Sequence, residues 1–169
     1  MRLDELSFGQ VYADTNILYM YLRADPEYLP TIKTFLRRVV SGEIAVFVSV
    51  PVLDELFYRL LLARIKGSTS LNPLNRLRED LSGVLAEHAE PIQDAIRQFV
   101  SLPNINVVGV EADDGERMMA NIVTYHLLPR DALHLAVMQR LGLNLVASDD
   151  ADFDRVNGFS RLWLFNIPK

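Results

Sequence analysis

Cysteine is absent from the 169-residue sequence, and this absence excludes several kinds of chemistry. Without thiols the chain has no disulfide framework, no thiolate zinc site and no cysteine nucleophile. Any metal ion must therefore be bound by oxygen atoms or by histidine nitrogen, and the chain has only three histidines.

Long apolar runs are also missing. No stretch of about 18 uncharged apolar residues occurs, and the first five residues, Met-Arg-Leu-Asp-Glu, lack the basic and apolar regions of a signal peptide. We therefore expect a soluble, cytoplasmic protein that does not span a membrane. Mean hydropathy is +0.12, which is high for a soluble monomer, so we also expect apolar surface to be buried in a homodimer.

A net positive charge is lacking as well. The sequence has 17 lysines and arginines against 22 aspartates and glutamates, which gives a net charge of -5. The overall field therefore does not attract a polyanion such as a nucleic acid. This argument weakens if the acids are gathered in a metal site, because divalent ions reverse the local sign of charge that a phosphate meets.

Strand patterns alternate with helix patterns along the chain, whose length suits a single domain over residues 1–169. Short apolar runs predict strands at residues 10–13, 44–48, 105–110, 143–147 and near 162–165. Helical spacing predicts helices from residue 17, at 29–40, from 51 until just before Gly67, at 111–126 and at 129–141. Residues 68–103 predict one or two further helices, interrupted at Pro73 and Pro91. This alternation predicts an α/β fold with a mostly parallel sheet covered on both faces.

Acidic residues follow two of the predicted strands. Asp14 comes directly after the first strand, and four aspartates, Asp149, Asp150, Asp152 and Asp154, follow the strand at 143–147. Taken singly, Asp14 also suits a helix N-cap, and the aspartate cluster also suits a solvated loop. Crowded carboxylates repel one another or recruit a cation, and hard oxygen ligands suit magnesium or manganese.

Two further acids lie near the starts of predicted helices. Glu55 follows the second strand, and Asp131 comes two residues after Pro129. Each suits the positive end of a helix dipole. The helix that carries Asp131 is apolar nearly all round, however, so its carboxylate needs a compensating partner. Four acids at one edge of one sheet together predict a divalent-metal site.

The same residues resemble the PIN-domain family, which includes the VapC-type toxins of toxin–antitoxin pairs. The resemblance covers nearly the whole chain. It rests on Tyr-Ala-Asp-Thr-Asn-Ile-Leu at residues 12–18, Glu55, Arg-Asp-Ala-Leu-His-Leu-Ala at residues 130–136 and Ser-Asp-Asp-Ala-Asp-Phe at residues 148–153. It implies a Rossmann-like three-layer α/β/α sandwich, a ribonuclease dependent on Mg²⁺ or Mn²⁺, frequent dimers and an antitoxin partner. Residues 68–103 form a longer stretch than in the compact toxins.

Site residues follow from this resemblance. It implies that metal binding and catalysis belong to Asp14, Glu55, Asp131 and Asp150, with Asp152 as a supplementary acid and Asn16 and Ser148 as polar supports. Side chains alternate along an extended chain, which places Ser148 and Asp150 on one side and Asp149 on the other. We therefore expect Asp150 rather than Asp149 to bind metal.

Basic residues and histidine carry weaker signals. Arg130, which precedes Asp131, is placed to contact an RNA substrate. Surface cations that suit the RNA backbone, although ordinary solvation accounts better for each of them, are Lys33, Arg37, Arg38, Arg59, Arg64 and Lys66. His134 lies one helical turn after Asp131, and we expect it to be structural, because oxygen-ligated magnesium does not need imidazole.

Two other functions remain open at this point. A haloacid-dehalogenase-like phosphatase also uses aspartates at strand ends, but it needs a second aspartate where this chain has Asn16. A PIN-like scaffold would bind RNA or a partner without cutting. The presence of all four acids argues against this alternative. A dinucleotide-binding Rossmann domain is excluded, because no Gly-x-Gly-x-x-Gly motif follows the first strand.

Overall fold

A central sheet organises the computed structural model, which describes residues 2–69 and 72–163. Its five strands are β1 Gly9–Ala13, β2 Ile44–Ser49, β3 Ile105–Val108, β4 Leu145–Ala147 and β5 Ser160–Leu162. They lie in the order β3-β2-β1-β4-β5, and every pairing is parallel. The predicted α/β fold is confirmed, and β1 is the central strand.

Helices follow the strands in the alternation that the sequence predicts. The α-helices of the described ranges are α1 Thr15–Leu22, α2 Leu29–Val40, α3 Val50–Ser68, α4 Pro73–Glu79, α5 Leu81–Val100, α6 Ala112–Tyr125 and α7 Pro129–Leu141. Short 3-10 helices occur at Leu3–Glu5 and Ala151–Arg155. In the part of the chain that the structure describes, no helix has the length and apolar character needed to cross a membrane.

Local sequence accounts for most of these boundaries. In α2 the residues Ile32, Phe35, Leu36 and Val39 are buried, and their spacing forms the apolar stripe of an amphipathic helix. Proline lies in the first turn of α7, and Gly142 ends that helix in the left-handed conformation with a φ of 68°. Both features are favourable at those positions, since proline needs no helical hydrogen bond there and glycine adopts positive φ without strain.

The helical region between α3 and β3 differs from the prediction. Gly67 lies inside α3, which ends one residue later, and Pro91 lies inside α5 rather than between two helices. An interior proline costs about 3 kcal/mol in a helix. Burial of Val84, Ile92 and Phe99 on α5 offsets this cost, because each buried side chain of this size contributes about 1.5 to 3 kcal/mol.

Several predicted strand boundaries also differ, and β4 begins at Leu145 rather than at residue 143. β3 ends at Val108, two residues earlier than predicted, and the last strand is Ser160–Leu162. The predicted strand near 162–165 overlaps β5 only at its first residue, and residues 164 and 165 lie outside the described residues.

A buried ion pair holds α6 against α7, the helix that carries Asp131. Arg140 Nε lies 3.0 Å from each carboxylate oxygen of the buried Asp114. Arg140 also donates to the carboxylate of Glu111 at 3.1 Å and to the carbonyl oxygen of Gly109 at 2.7 Å. Burial opposes the charged form of Asp114, but the hydrogen bond and charge of Arg140 outweigh it and lower the pKa of that carboxyl.

We predict that Asp114→Ala lowers the free energy of unfolding by about 3 kcal/mol, because it leaves a partly buried guanidinium without its main partner. Urea unfolding followed by circular dichroism measures this change. The matched control is Asp94→Ala, which removes an exposed ion pair with Arg97 at 3.6 Å and should cost less than about 1 kcal/mol. Equal losses in the two variants would contradict the assignment of Asp114 as the link between α6 and α7.

Candidate active site

The candidate active site is a cleft of about 750 Å³ to which four separate segments each contribute one of the predicted acids. Asp14 follows β1, Glu55 lies in α3, Asp131 lies in the first turn of α7, and Asp150 follows β4. Parallel strands end at the same edge of a sheet, so segments distant in sequence meet there. Arg130 also lines the cleft, and it is the only basic residue among the lining residues of the described chain.

Asp14 is the most buried of these acids, with a relative exposure of 6%. It caps α1, and its Oδ1 accepts a hydrogen bond of 2.6 Å from the backbone N–H of Thr15. Its Oδ2 accepts one from Ser148 Oγ at 2.6 Å and one from Asn16 Nδ2 at 3.2 Å. Burial raises the pKa of Asp14 above its usual value, and the nearby acids add to this rise. Asn16 and Ser148, the two polar supports that the resemblance implies, thus both donate to Asp14.

Glu55 is held by groups on three different helices. Its Oε2 accepts a hydrogen bond from Thr15 Oγ1 at 3.2 Å and lies 3.2 Å from Arg130 Nη1. Its Oε1 lies 3.8 Å from Arg59 Nη1, one helical turn along α3, and the same guanidinium donates to Asn16 Oδ1. Two arginines therefore balance the charge of Glu55.

Asp131 is the acid whose charge is least compensated. Among residues 2–69 and 72–163, no group forms an ion pair or side-chain hydrogen bond with it. Burial raises its pKa to about 7, and the charges of Asp150, Asp14, Asp152 and Glu55 act in the same direction. A cation in the cleft would relieve this repulsion.

The loop after β4 separates its aspartates. Asp150 lines the cleft, and its Oδ1 accepts a hydrogen bond of 2.8 Å from the backbone N–H of Asp152. Asp149 is exposed and does not line the cleft. Asp152, which the resemblance assigns as a supplementary metal ligand, instead forms an ion pair of 2.8 Å with Arg155. The structure thus brings Asp150, but neither Asp149 nor Asp152, to the cleft surface.

Sequence reasoning missed the residues that anchor this loop. Arg161 in β5 is buried and pairs with both carboxylate oxygens of Asp154, at 2.9 and 2.7 Å. Its Nη1 also lies 3.4 Å from the carbonyl oxygens of Ser148 and Asp149. Asp54, the residue before Glu55, also lines the cleft. No local signal marks Arg161, because its partners depend on the pairing of β5 with β4.

A buried polar network links the elements that carry three of the acids. The hydroxyl of Tyr12 in β1 lies 2.6 Å from Ser49 Oγ, which precedes α3, and 2.8 Å from His134 Nδ1 in α7. Burial lowers the pKa of His134 to about 4, so the imidazole is neutral near pH 7. His134 does not line the cleft, and its Nε2 has no hydrogen-bond partner in the described chain.

The donor set of the cleft suits a hard cation, although its side chains are not arranged around one. Over the ranges 2–69 and 72–163, no three acidic or histidine side chains are positioned to hold a metal ion as they stand. Glu55 is engaged by arginines, whereas Asp131 faces the other acids without a partner. Carboxylate oxygens are the ligands that magnesium and manganese prefer, so the chemistry of the cleft fits such an ion.

Comparison with known proteins identifies the fold. The sequence matches the family model of the PIN domain over residues 11–158, and it matches no curated protein. VapBC2 from Rickettsia felis, bound to a promoter DNA fragment, is similar with 13% identity and a TM-score of 0.59, over 90% of this chain and 97% of that one. A toxin–antitoxin complex from Klebsiella pneumoniae is similar with 19% identity and a TM-score of 0.58, over 93% and 99%. VapC20 from Mycobacterium tuberculosis, a toxin that cleaves the sarcin–ricin loop, is similar with 20% identity and a TM-score of 0.55, over 85% and 92%.

We predict that Asp131→Asn stabilises the metal-free protein at pH 8 and has no such effect near pH 4. An aspartate in the unfolded chain has a pKa of about 3.9, whereas Asp131 in the folded protein has a pKa of about 7. The folded state binds this proton more tightly, so raising the pH through this window lowers the free energy of unfolding of the wild type.

The expected gain at pH 8 is about 1 to 3 kcal/mol, since one pKa unit corresponds to about 1.4 kcal/mol and partial exposure reduces the effect. Urea unfolding in EDTA at the two pH values measures it. Identical wild-type and variant stabilities at both pH values would show that Asp131 is not under electrostatic strain.

Proposed function

Because the chain belongs to the PIN domain family, we propose that it is a nuclease that hydrolyses RNA with Mg²⁺ or Mn²⁺ bound by Asp14, Glu55, Asp131 and Asp150. One observation carries the proposal. Four acids from four separate segments line one cleft, and one of them, Asp131, has a raised pKa and no compensating partner. Perturbed carboxylates gathered in a cleft are characteristic of functional sites.

The protein groups have distinct tasks in this proposal. A bound divalent ion would polarise the scissile phosphate and make a bound water a better nucleophile. Asp14 is held rigidly by Ser148 and the backbone of Thr15, so its oxygen atoms need no reorganisation. Glu55, which now pairs with Arg130, would help to hold the ion. Arg130, whose side chain is half exposed, would be available to pair with a phosphate oxygen of the substrate.

The phosphatase alternative fits the site less well. In haloacid-dehalogenase-like chemistry, the aspartate two residues after the nucleophile transfers a proton. Here that position is Asn16, whose Nδ2 donates to Asp14 and whose Oδ1 accepts from Arg59. An amide fixed in this way is a positioning group and has no carboxyl proton to transfer.

An antitoxin is the proposed protein partner. Two of the similar structures are a VapBC2 assembly and a toxin–antitoxin complex, and a third, VapC20, is a toxin that cleaves the sarcin–ricin loop. By analogy, we assign this chain the role of a toxin that acts on RNA and is bound by a small antitoxin protein.

We also propose a homodimer, and the ground is now the position of exposed apolar residues rather than the mean hydropathy of the sequence. The buried face of α5, which lies within the predicted helical stretch 68–103, packs into the core. Exposed apolar residues lie close together in sequence on α6 and before α7, where Met119, Val123 and Leu128 have relative exposures of 61%, 74% and 68%. Sedimentation equilibrium should show a dimer that Val123→Glu dissociates, and a wild-type monomer at high micromolar concentration would contradict this.

The nuclease proposal predicts metal-dependent cleavage that discriminates between neighbouring aspartates. With saturating Mn²⁺, Asp150→Asn should lower the rate of RNA cleavage by about 100-fold or more, because it removes a charged ligand from the ion. Asp149→Asn is the matched control and should be nearly silent, since Asp149 does not line the cleft. EDTA should abolish the activity of the wild type.

Two outcomes would contradict this account. Cleavage that persists in EDTA would exclude the metal mechanism. An inactive Asp149→Asn together with an active Asp150→Asn would mean that the loop after β4 presents the other aspartate to the ion. The same fluorogenic RNA of mixed sequence is used for the wild type with Mn²⁺, the wild type with EDTA and the two variants, so that the substrate does not differ between the measurements.

A further inference from the structure

A second groove, which we name the α3 groove, lies beside the cleft and carries the opposite charge. It has a volume of about 640 Å³ and is formed by the end of α1, the second half of α3 and the start of α4. Its basic lining residues are Arg23, Arg59 and Lys66. No acidic residue lines it in the described chain, although the whole sequence has a net charge of -5.

The charges of this groove are largely uncompensated. Arg23 and Lys66 are exposed, and within the ranges 2–69 and 72–163 neither forms an ion pair with a carboxylate. Several other arginines do pair with acids, including Arg140 with Asp114 and Arg161 with Asp154. The groove therefore concentrates positive potential on a protein whose overall field is negative.

An aromatic ring holds two of the cations in place. The guanidinium carbon of Arg59 lies 4.5 Å from the centroid of the Tyr19 ring, and that of Arg23 lies 5.4 Å from the same centroid. Arg23 Nη1 also donates to the Tyr19 hydroxyl at 3.0 Å. These cation–π contacts fix two guanidiniums relative to each other before any ligand binds, which lowers the entropic cost of binding.

The α3 groove adjoins the cleft through Arg59 on α3. Glu55, Arg59 and Lys66 follow one side of α3, since positions four and eleven residues apart fall within about 40° on a helix of 3.6 residues per turn. Over these eleven residues the helix rises about 16 Å. Arg59 joins the two sites, because it lines the groove and also contacts Asn16 and Glu55 in the cleft.

We propose that the α3 groove binds the phosphate backbone of the single-stranded RNA segment that flanks the bond in the cleft, with Arg23 and Lys66 contacting phosphates. A basic groove with an aromatic side chain is the usual arrangement for single-stranded nucleic acid. The inference rests on the proposed nuclease function for the position of the scissile bond. The binding itself requires no metal and no turnover.

The test compares two double variants of the full-length protein. Arg23→Gln with Lys66→Gln removes the groove charges without altering Arg59 or the cleft. Arg97→Gln with Arg117→Gln is the matched control, since both are exposed cations, on α5 and α6, that do not line the groove. Binding of a fluorescent 20-nucleotide single-stranded RNA is measured in EDTA by anisotropy, at salt concentrations from about 50 to 200 mM.

Wild type and control should show the same dependence of log K on log salt. The groove variant should bind more weakly, and its slope should be smaller in magnitude by about 1.4, because each phosphate contact with a single strand contributes about 0.7. An unchanged slope in the groove variant overturns the proposal and assigns the groove charges to another partner. An equal reduction in the control also overturns it, since the effect would then be one of net charge.

A second substrate separates this inference from the proposed function. Hydrolysis of bis(4-nitrophenyl) phosphate in Mn²⁺ involves the cleft alone, since this small diester does not extend into the groove. The groove variant should hydrolyse it at the wild-type rate while losing cleavage of long RNA. Reduced hydrolysis of the small ester would show that the substitutions disturb the cleft, and would contradict the separate role of the groove. If the wild type hydrolyses neither substrate, the nuclease function fails, whereas the salt dependence of binding still decides the role of the groove.

Discussion

Repulsion between carboxylates at one edge of the sheet is the constraint on which the rest of the site depends. Asp14 is almost fully buried, and the raised pKa of Asp131 reflects burial together with the charges of the neighbouring acids. Hydrogen bonds to Asp14 and arginines around Glu55 offset part of this repulsion. The remaining repulsion acts on Asp131. A divalent ion would relieve it, because the negative charge that destabilises the metal-free protein stabilises the metal-bound protein.

The fold maintains this arrangement through interactions remote from the cleft surface. The hydroxyl of Tyr12 links β1 to Ser49 before α3 and to His134 in α7, so the segments that carry three of the acids share one buried network. The pair of Asp114 and Arg140 holds the last turn of α7 against α6. Buried polar networks of this kind fix geometry when their members are hydrogen-bonded, which suits a site whose charged groups would otherwise move apart.

Much of the fold and part of the site could be predicted because the relevant signals are local. Apolar periodicity identifies strands and helices, and a parallel sheet brings residues after different strands, such as Asp14 and Asp150, to one edge. Contacts that depend on tertiary packing could not be predicted. Pro91 remains inside α5 because packing against the core outweighs its local preference. The partners of Arg161 and Asp152 follow from the path of the loop after β4, which no local pattern encodes.

The central claim is that acids from four segments form one binding site for a divalent ion. Anomalous diffraction from crystals soaked in Mn²⁺ tests it most directly, because the signal locates the ion independently of any activity. The account predicts a manganese peak bounded by the carboxylates of Asp14, Asp131 and Asp150, with Glu55 turned from Arg130 towards the ion. A fully occupied peak elsewhere, or no peak in the cleft at millimolar Mn²⁺, would contradict it.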